Sequence, residues 1–480
     1  MQFINDIYEN EELTYADVFL LQQYFGGSSR FDWISVTPTH SLWSSLPIVS
    51  ANMNAVTWKR MAETLARLWW IWILPQDMDI DTLLELIPRI KNASAKFDTP
   101  ITVKKSHTIR DAMWIIYKRA HHTLILVDDD NKPLNIFVPR DFNDQDQYTQ
   151  LWNIKKSFLI TWGEDISDEE AFDLMDHHWI SSLPIVDKSW VLVWILTKKS
   201  TIRNSIYTPS LDQNWKLKVW VALWINNFLE KARKMIDLGI ELYVLDTAHW
   251  YQRKMIDAIK LFRKEFGNSF ELVAWNVITA EWTRALIEAG ANWVKVWVWP
   301  WAMCTTRMKT WVWRPQFTAV HKCSEEANRL WWFTWADGWV KDPRDLVLWL
   351  AAWANHIMIG TTFAGTFEST WDIKYDMDWR MYKENYWMAS RKAVNLRNNW
   401  ISAFEQAKKA LFKEWISTSK IYIKEWREWA WDVVDEFITW LRSAMTYVWA
   451  SNLKEFNEKA IIWVQTSAWF TEWTPHWKVR

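Results

Sequence analysis

A chain that turns many times needs residues that tolerate positive φ, and this one, of 480 residues, carries only 9 Gly beside 44 Trp. Average usage would supply Gly at about 7%, or roughly 34 residues. The Trp fall where backbone geometry asks for Gly, after helical periodicity in LARLWWIWIL (Trp69, Trp70, Trp72) and closing DTAHW at Trp250. Trp is excluded by its Cβ and its bulk where φ must be positive or where backbone approaches a ligand closely. Two readings compete. In the first, the protein is rich in Trp, its indoles stack on sugars or line a core, and Trp belongs on strand faces. In the second, UGA codons that the source organism reads as Gly are written here as Trp, and the pooled 53 residues suit a glycine-rich enzyme with a few true Trp. The second explains the positions and is adopted here. Trp335, before ADG in an apolar strand, is the best candidate for a genuine Trp.

Charge narrows the partners. With 56 Lys+Arg against 57 Asp+Glu the net charge is −1, so no electrostatic argument favours nucleic acid or an anionic membrane surface. The start, MQFINDIYENEELTYADVF, lacks the basic-then-apolar layout of a secretion signal. No stretch approaches the ~18 uninterrupted apolar residues of a membrane span. The expectation is a soluble cytoplasmic protein. Two cysteines, Cys304 and Cys323, cannot make a disulfide framework, and a reducing compartment leaves both as thiols. The length suits one large domain and a smaller one.

Residues 12 to 94 alternate short apolar runs, LPIVSANM and IWIL, with the helical periodicity of WKRMAETLARL. That βα rhythm belongs to a parallel sheet. Two segments then repeat the order strand, amphipathic helix, strand, turn, strand over roughly 60 residues each. The second, read with Gly at Trp179, Trp190 and Trp194, contains HHGISSLPIVDKSGVLVGILT, and the pair resembles tandem CBS domains. From about 204, βα alternation resumes in ELYVLDTAH, FELVAWNVITAEWTRALIEAGA, WVKVWVWPWAMCTTR, FTWADGWVKDPRDLVLWLAAWA and HIMIGTTFAG. Each strand ends in a polar, glycine-like cluster, as in a (β/α)8 barrel whose chemistry sits beyond the C-terminal ends of its strands. The expected fold is therefore α/β: a TIM barrel formed by residues 1–94 and 204–480, with a tandem CBS pair inserted at 95–203.

The most specific motif runs from Trp297 to Arg307: Trp297-Val298-Trp299-Pro300-Trp301-Ala302-Met303-Cys304-Thr305-Thr306-Arg307, read as GVGPGAMCTTR. It resembles the Cys loop of the IMP dehydrogenase and GMP reductase family, and the resemblance extends over essentially the whole chain. The chemistry agrees, because a thiol in a glycine-rich loop at a barrel mouth can attack an electrophilic purine carbon. Cys304 is thus the expected nucleophile.

Ala336-Asp337-Gly338-Trp339, read as ADGG, and IMIGTT around Gly360 and Thr361 end two consecutive strands and look like mononucleotide grips. Backbone N–H groups there can hold a phosphate, and the Asp337 carboxylate can accept from the ribose hydroxyls. The competing role for Asp337 is a helix N-cap. KENYWMAS resembles the family's purine-covering loop, which implies that Tyr386, Trp387 and Met388 bind substrate. LPIVSANMNAV resembles the first barrel loop and adds Ser50 and Met53. Asp246, Thr247 and Ala248, with Asn276 and the residues Trp297, Val298 and Trp299, resemble the nicotinamide contacts; His249 beside them reads more readily as structural. No GxGxxG follows a strand with an acidic residue some 20 positions on, so a Rossmann domain is not the cofactor site. Trp299, Trp301 and Cys304 correspond to positions whose carbonyls bind a monovalent cation, K+, in the dehydrogenases. No clustered His/Cys set has zinc spacing.

The Cys loop is common to both activities, so the decision lies near the C-terminus. Family dehydrogenases carry an Arg-Tyr dyad that activates water. LFKEWIS, read as LFKEGIS, sets the landmark at Glu414, and counting back to the dyad position reaches Trp400-Ile401. No Arg-Tyr pair occurs between Lys383 and Glu414. A reductase instead needs proton transfer to departing ammonia, and Glu414 with Thr306 fits that requirement. The resemblance therefore favours an NADPH-dependent GMP reductase of the CBS-containing branch, acting in purine salvage and converting GMP to IMP through a Cys304 thioimidate. The alternatives are an IMP dehydrogenase using NAD and a non-catalytic CBS nucleotide sensor. Resemblance also implies a homotetramer. The CBS pair implies an adenine or guanine nucleotide, but the ribose-binding Asp present as Asp141 in the first repeat is Ser200 in the second, so at most one site is well formed.

Overall fold

The computed structural model describes every residue except 1, 4–10, 25–32, 39–43, 69–70, 155–158, 248–251, 298–308, 339, 371, 386–401, 403, 405–407, 409–418 and 473–480. Eight parallel strands close into a barrel: β1 (Ile48–Ser50), β2 (Ile71–Leu74), β3 (Trp220–Trp224), β4 (Leu242–Asp246), β5 (Glu271–Val277), β6 (Trp293–Val296), β7 (Phe333–Asp337) and β8 (His356–Ile359). They neighbour one another in chain order, and β8 closes on β1 through Ile357↔Ile48 and Ile359↔Ser50. The strands read as largely apolar runs because both faces are covered, one by the helices and one by the barrel interior. IWIL in β2, for instance, is buried throughout.

Helices follow the strands, as the alternating pattern requires. In Arg253–Phe266, after β4, the buried residues Met255, Ala258, Ile259 and Phe262 recur at i, i+3, i+4 and i+7, one stripe turned to the barrel. The helix after β7, Pro343–Ala351, starts at Asp342, whose capping box with Asp345 and Pro at the first turn fix its origin. Asp337 thus lies clear of the cap and is free for another role.

The chain divides into two compact units, one of residues 1–62, 70–88 and 219–480, which holds the barrel, and one of residues 63–69 and 89–218. The second unit contains the internal repeat. Its first copy has Ile101–Val103 parallel to Leu124–Val127, which pairs antiparallel with Pro133–Phe137. In the second copy Ser182–Val186 pairs antiparallel with Leu192–Thr197, and the leading strand is reduced to a parallel bridge between Trp162 and Ile185. The copies interlock, since Asp98 ahead of the first pairs with Ile195 in the last strand of the second.

Trp occupies backbone conformations that side chains avoid. Of thirteen non-glycine residues with positive φ among the described residues, nine are Trp. Among the described residues, six helices end in one motif, in which the residue after the C-cap has positive φ and two hydrogen bonds close the last turn. Gly239 and Gly290 fill that place in two of them; Trp179, Trp331, Trp353 and Trp449 fill it in four. A second turn opens on Asp128, Asp187, Asp212 or Asp376 and places Asn131, Trp190, Trp215 or Trp379 at its positive-φ position. Trp335 is different: it lies fully buried in β7, its ring against those of Trp293 and His356. No helix among the described residues is long and apolar enough to cross a membrane.

Candidate active site at the mouth of the barrel

Parallel strands bring their C-terminal ends to one rim, and the polar residues that interrupt the apolar pattern collect there. Asp246 ends β4 and Asp337 ends β7; Asn276 sits one residue before the end of β5, and Gly338 and Gly360 follow β7 and β8. Lys295, near the end of β6, pairs with Asp337 at the end of β7.

On the β1, β2 and β4 side, the Asn52 amide donates to Gln76 Oε1 at 2.8 Å and to Asp246 Oδ2 at 3.2 Å. Burial pushes the Asp246 carboxyl up to about 7, against the pull of Lys295 and the Asn52 hydrogen bond. Thr247 is nearly buried and accepts from Gln252 at 3.3 Å. Asn276 is buried, and its Oδ1 has no hydrogen-bond partner among the described residues.

On the β6, β7 and β8 side, Lys295 is fully buried and pairs with Asp337. Its ammonium lies 3.4 Å from the ring centroid of Trp275 and 5.4 Å from that of Trp297. The Gln316 amide donates to the carbonyls of Val296 and Asp337, at 3.3 and 3.0 Å, tying the ends of β6 and β7 together. Gly338 has φ of 93°, a conformation that only Gly adopts without strain. Thr362 Oγ1 donates to the Val340 carbonyl at 3.1 Å and joins the short helix after β8 to the loop after β7. Thr361 opens the short helix behind Gly360. Ser50 is buried, its hydroxyl 2.8 Å from that of Thr57, and Met53 caps the same turn by accepting from Val56 and Thr57.

The structure therefore brings Ser50, Met53, Asp246, Thr247, Asn276, Trp297, Asp337, Gly338, Gly360 and Thr361 to the strand ends. Ala248, Val298, Trp299, Trp301, Cys304, Thr306, Trp339, Tyr386, Trp387, Met388 and Glu414 lie outside the described residues. The chain enters the Cys loop directly from the end of β6. Asn385 and Ser419, on either side of the stretch that holds Tyr386 to Met388 and Glu414 in sequence, are paired in an antiparallel sheet. The other cysteine, Cys323, is fully buried in the helix Gln316–Arg329, and burial pushes its thiol up to about 12. Asn52, Gln76, Lys295 and Gln316 escaped sequence reasoning. Only Lys295 left a trace there, as one cation inside the apolar run WVKV.

Comparison with known proteins agrees with this architecture. The family model described as IMP dehydrogenase / GMP reductase domain matches residues 12–476. A GMP reductase of Mycobacterium tuberculosis is 39% identical over 476 residues, 99% of each chain. An inosine-5'-monophosphate dehydrogenase of Aquifex aeolicus is 32% identical over 457 residues, 94% of this chain and 92% of that one. Among solved structures, a cysteine-to-alanine GMP reductase of Trypanosoma brucei in complex with guanosine 5'-monophosphate superimposes with a TM-score of 0.68 at 26% identity, covering 97% of this chain and 98% of that one. A closed barrel with its polar residues at one rim, matched along nearly its whole length, places the chain in the IMP dehydrogenase / GMP reductase family of oxidoreductases.

Proposed function

We propose that this chain is a GMP reductase, converting GMP to IMP and ammonia with NADPH. The observation that carries the choice is the missing Arg-Tyr dyad between Lys383 and Glu414, which leaves the hydrolytic step of a dehydrogenase without its base. The 39% identity to a GMP reductase over 99% of both chains supports the same choice.

In this reading the Cys304 thiolate attacks C2 of GMP, forming the C–S bond. Glu414 gives its proton to the departing amine and Thr306 orients the adduct, so ammonia leaves and a thioimidate remains. Bound reduced nicotinamide supplies the hydride that reaches C2. Collapse of that adduct breaks the C–S bond and returns the thiolate with IMP. Cys323 is unsuited to the first step, because its buried thiol does not ionise near neutral pH. The residues at β4 and β5 fit a nicotinamide: the carboxamide N–H2 is a donor, and Asn276 Oδ1 is a buried acceptor with no donor among the described residues. Asp337 and Gly338 serve the nucleotide ribose and phosphate.

The shared turns support the further reading that most Trp stand for Gly at recoded UGA codons. A Trp held at positive φ costs about 1 to 3 kcal/mol, and one chain would bear that cost nine times over. Peptide mass spectrometry of the protein from its own source tests this directly: glycine is expected at Trp331, Trp353 and Trp449, and Trp at those positions would end the idea.

The activity test follows nicotinamide absorbance with GMP and NADPH in one cuvette and IMP and NAD in another, using protein made with UGA decoded as Gly. A fall in the first with ammonia released is expected. A rise in the second alone overturns the reductase reading.

A further inference from the structure

Lys295 is an unusual residue for the inside of a barrel. Burying an ammonium costs several kcal/mol unless a partner and hydrogen bonds compensate. Its register partner on β7 is Trp335, and Asp337 lies two residues further on, on the same face and one step nearer the mouth. The side chain therefore reaches toward the mouth and not across the barrel floor. Its ammonium meets Asp337 Oδ2, and no hydrogen bond from the described residues reaches Asp337 Oδ1. Lys295 also attracts Asp246, the carboxylate at the end of β4. One buried cation thus serves two acids that would otherwise repel each other.

We propose that Lys295 is a positioning residue for nucleotide recognition: it fixes the Asp337 carboxylate by one oxygen, so that the other is presented to the ribose diol. This rests on the assignment of Asp337 to ribose in the functional reading above. The ion pair itself is made to Asp337 and to neither ring. A ribose 2'-hydroxyl is a neutral donor, and a carboxylate already held by a cation loses little freedom in accepting it. Removing Lys295 leaves Asp337 to rotate and faces it with an unbalanced Asp246. Nucleotide affinity then falls through the sugar, while the purine chemistry is untouched.

The test measures binding of GMP and of 2'-deoxy-GMP by calorimetry to the full-length protein and to Lys295→Met, Lys295→Arg, Asp337→Asn and the double variant Lys295→Met/Asp337→Asn. Lys295→Met is expected to weaken GMP by roughly ten- to a hundredfold, the scale of one hydrogen bond to a charged group. The deoxynucleotide should weaken far less, so the preference for GMP collapses. Lys295→Arg, which keeps the cation, should keep the preference. The double variant should bind GMP as Asp337→Asn does, because toward the ribose the lysine acts through that aspartate. In turnover, the loss should appear in KM with kcat at saturating GMP little changed. The double variant leaves no unpaired charge in the ion pair, so it remains informative if Lys295→Met does not fold. Equal weakening of both nucleotides, or independent effects that multiply in the double variant, would overturn the assignment. A protein that discriminates between the two nucleotides but does not reduce GMP would sink the reductase reading and leave Lys295 in place.

Discussion

Trp331 and Gly239 occupy the same place in the same motif: each follows the C-cap of a helix with φ of 64° and 72°, and each donates its N–H to the carbonyl three residues before it. The following residue closes a wider loop, Trp332 to Ala327 and Ile240 to Met235. A β-carbon is tolerated there only under strain, and the Trp331 side chain is 86% exposed, so its indole recovers little by burial. Trp331→Gly should therefore stabilise the chain by about 1 kcal/mol, and Gly239→Trp should destabilise it by a similar amount. Urea unfolding of the two variants decides the matter. A loss of stability in Trp331→Gly would mean that the indole packs in a way its exposure does not reveal.

The two thiols should behave as opposites. Cys323→Ala is expected to keep full turnover, since its side chain lies in a helix core away from the strand ends, and to cost about 1 kcal/mol of stability. Cys304→Ala should abolish reduction of GMP while nucleotide binding persists. Alkylation at pH 8 should modify Cys304 and spare Cys323, whose pKa near 12 leaves almost no thiolate. Labelling of Cys323 at a rate comparable to Cys304 would contradict its burial.

The barrel was legible in the sequence because parallel strands buried on both faces leave continuous apolar runs, and ELYVLD or HIMIG can hardly be anything else. Asp246 and Asp337 were legible as strand-end residues because each acid closes such a run, and the resemblance to the family's motifs gave them their expected roles. The contacts among them were not legible. Asn52 meets Asp246 across 194 positions and Lys295 meets Asp337 across 42, and no local periodicity records a pairing that only closure of the barrel creates. Local chemistry did settle Asp337 against a cap, since the cap five residues on, Asp342, brings its own partner Asp345 and the proline that starts the helix.

Asp246 is expected to weaken the fold as pH rises. Its folded pKa, raised by burial to about 7, lies above the ordinary carboxylate value, so the folded state binds the proton more tightly than the unfolded chain. Its contribution is fully present below about pH 4 and is lost as pH climbs through 7. Asp246→Asn has no such loss, and Lys295 retains Asp337 as its partner. The variant should be more stable than the parent at pH 8, by about 2 to 4 kcal/mol, with the gap closing toward pH 4. Thermal unfolding across this range reads the difference, and a gap independent of pH would refute it. If Asp246 serves the cofactor as proposed, the same variant should also show reduced cofactor affinity.

The repeat in the second unit makes a prediction about stoichiometry. Asp141 Oδ2 accepts from the Val138 N–H at 2.8 Å, and Ser200 Oγ accepts from the Thr197 N–H at 2.9 Å. Each stands third in the turn or helix that follows the last strand of its repeat, so the two positions are structural equivalents. A serine preserves the cap but brings no negative charge, and one hydroxyl cannot accept from both hydroxyls of a ribose as a carboxylate can. An adenine or guanine nucleotide should therefore bind this unit at no more than one tight site per chain. Calorimetric titration with ATP and with GTP should fit one such site, lost in Asp141→Ala, while Ser200→Asp should create or strengthen a second. Two equally tight sites in the parent chain would show that the acid is not what recognises the sugar.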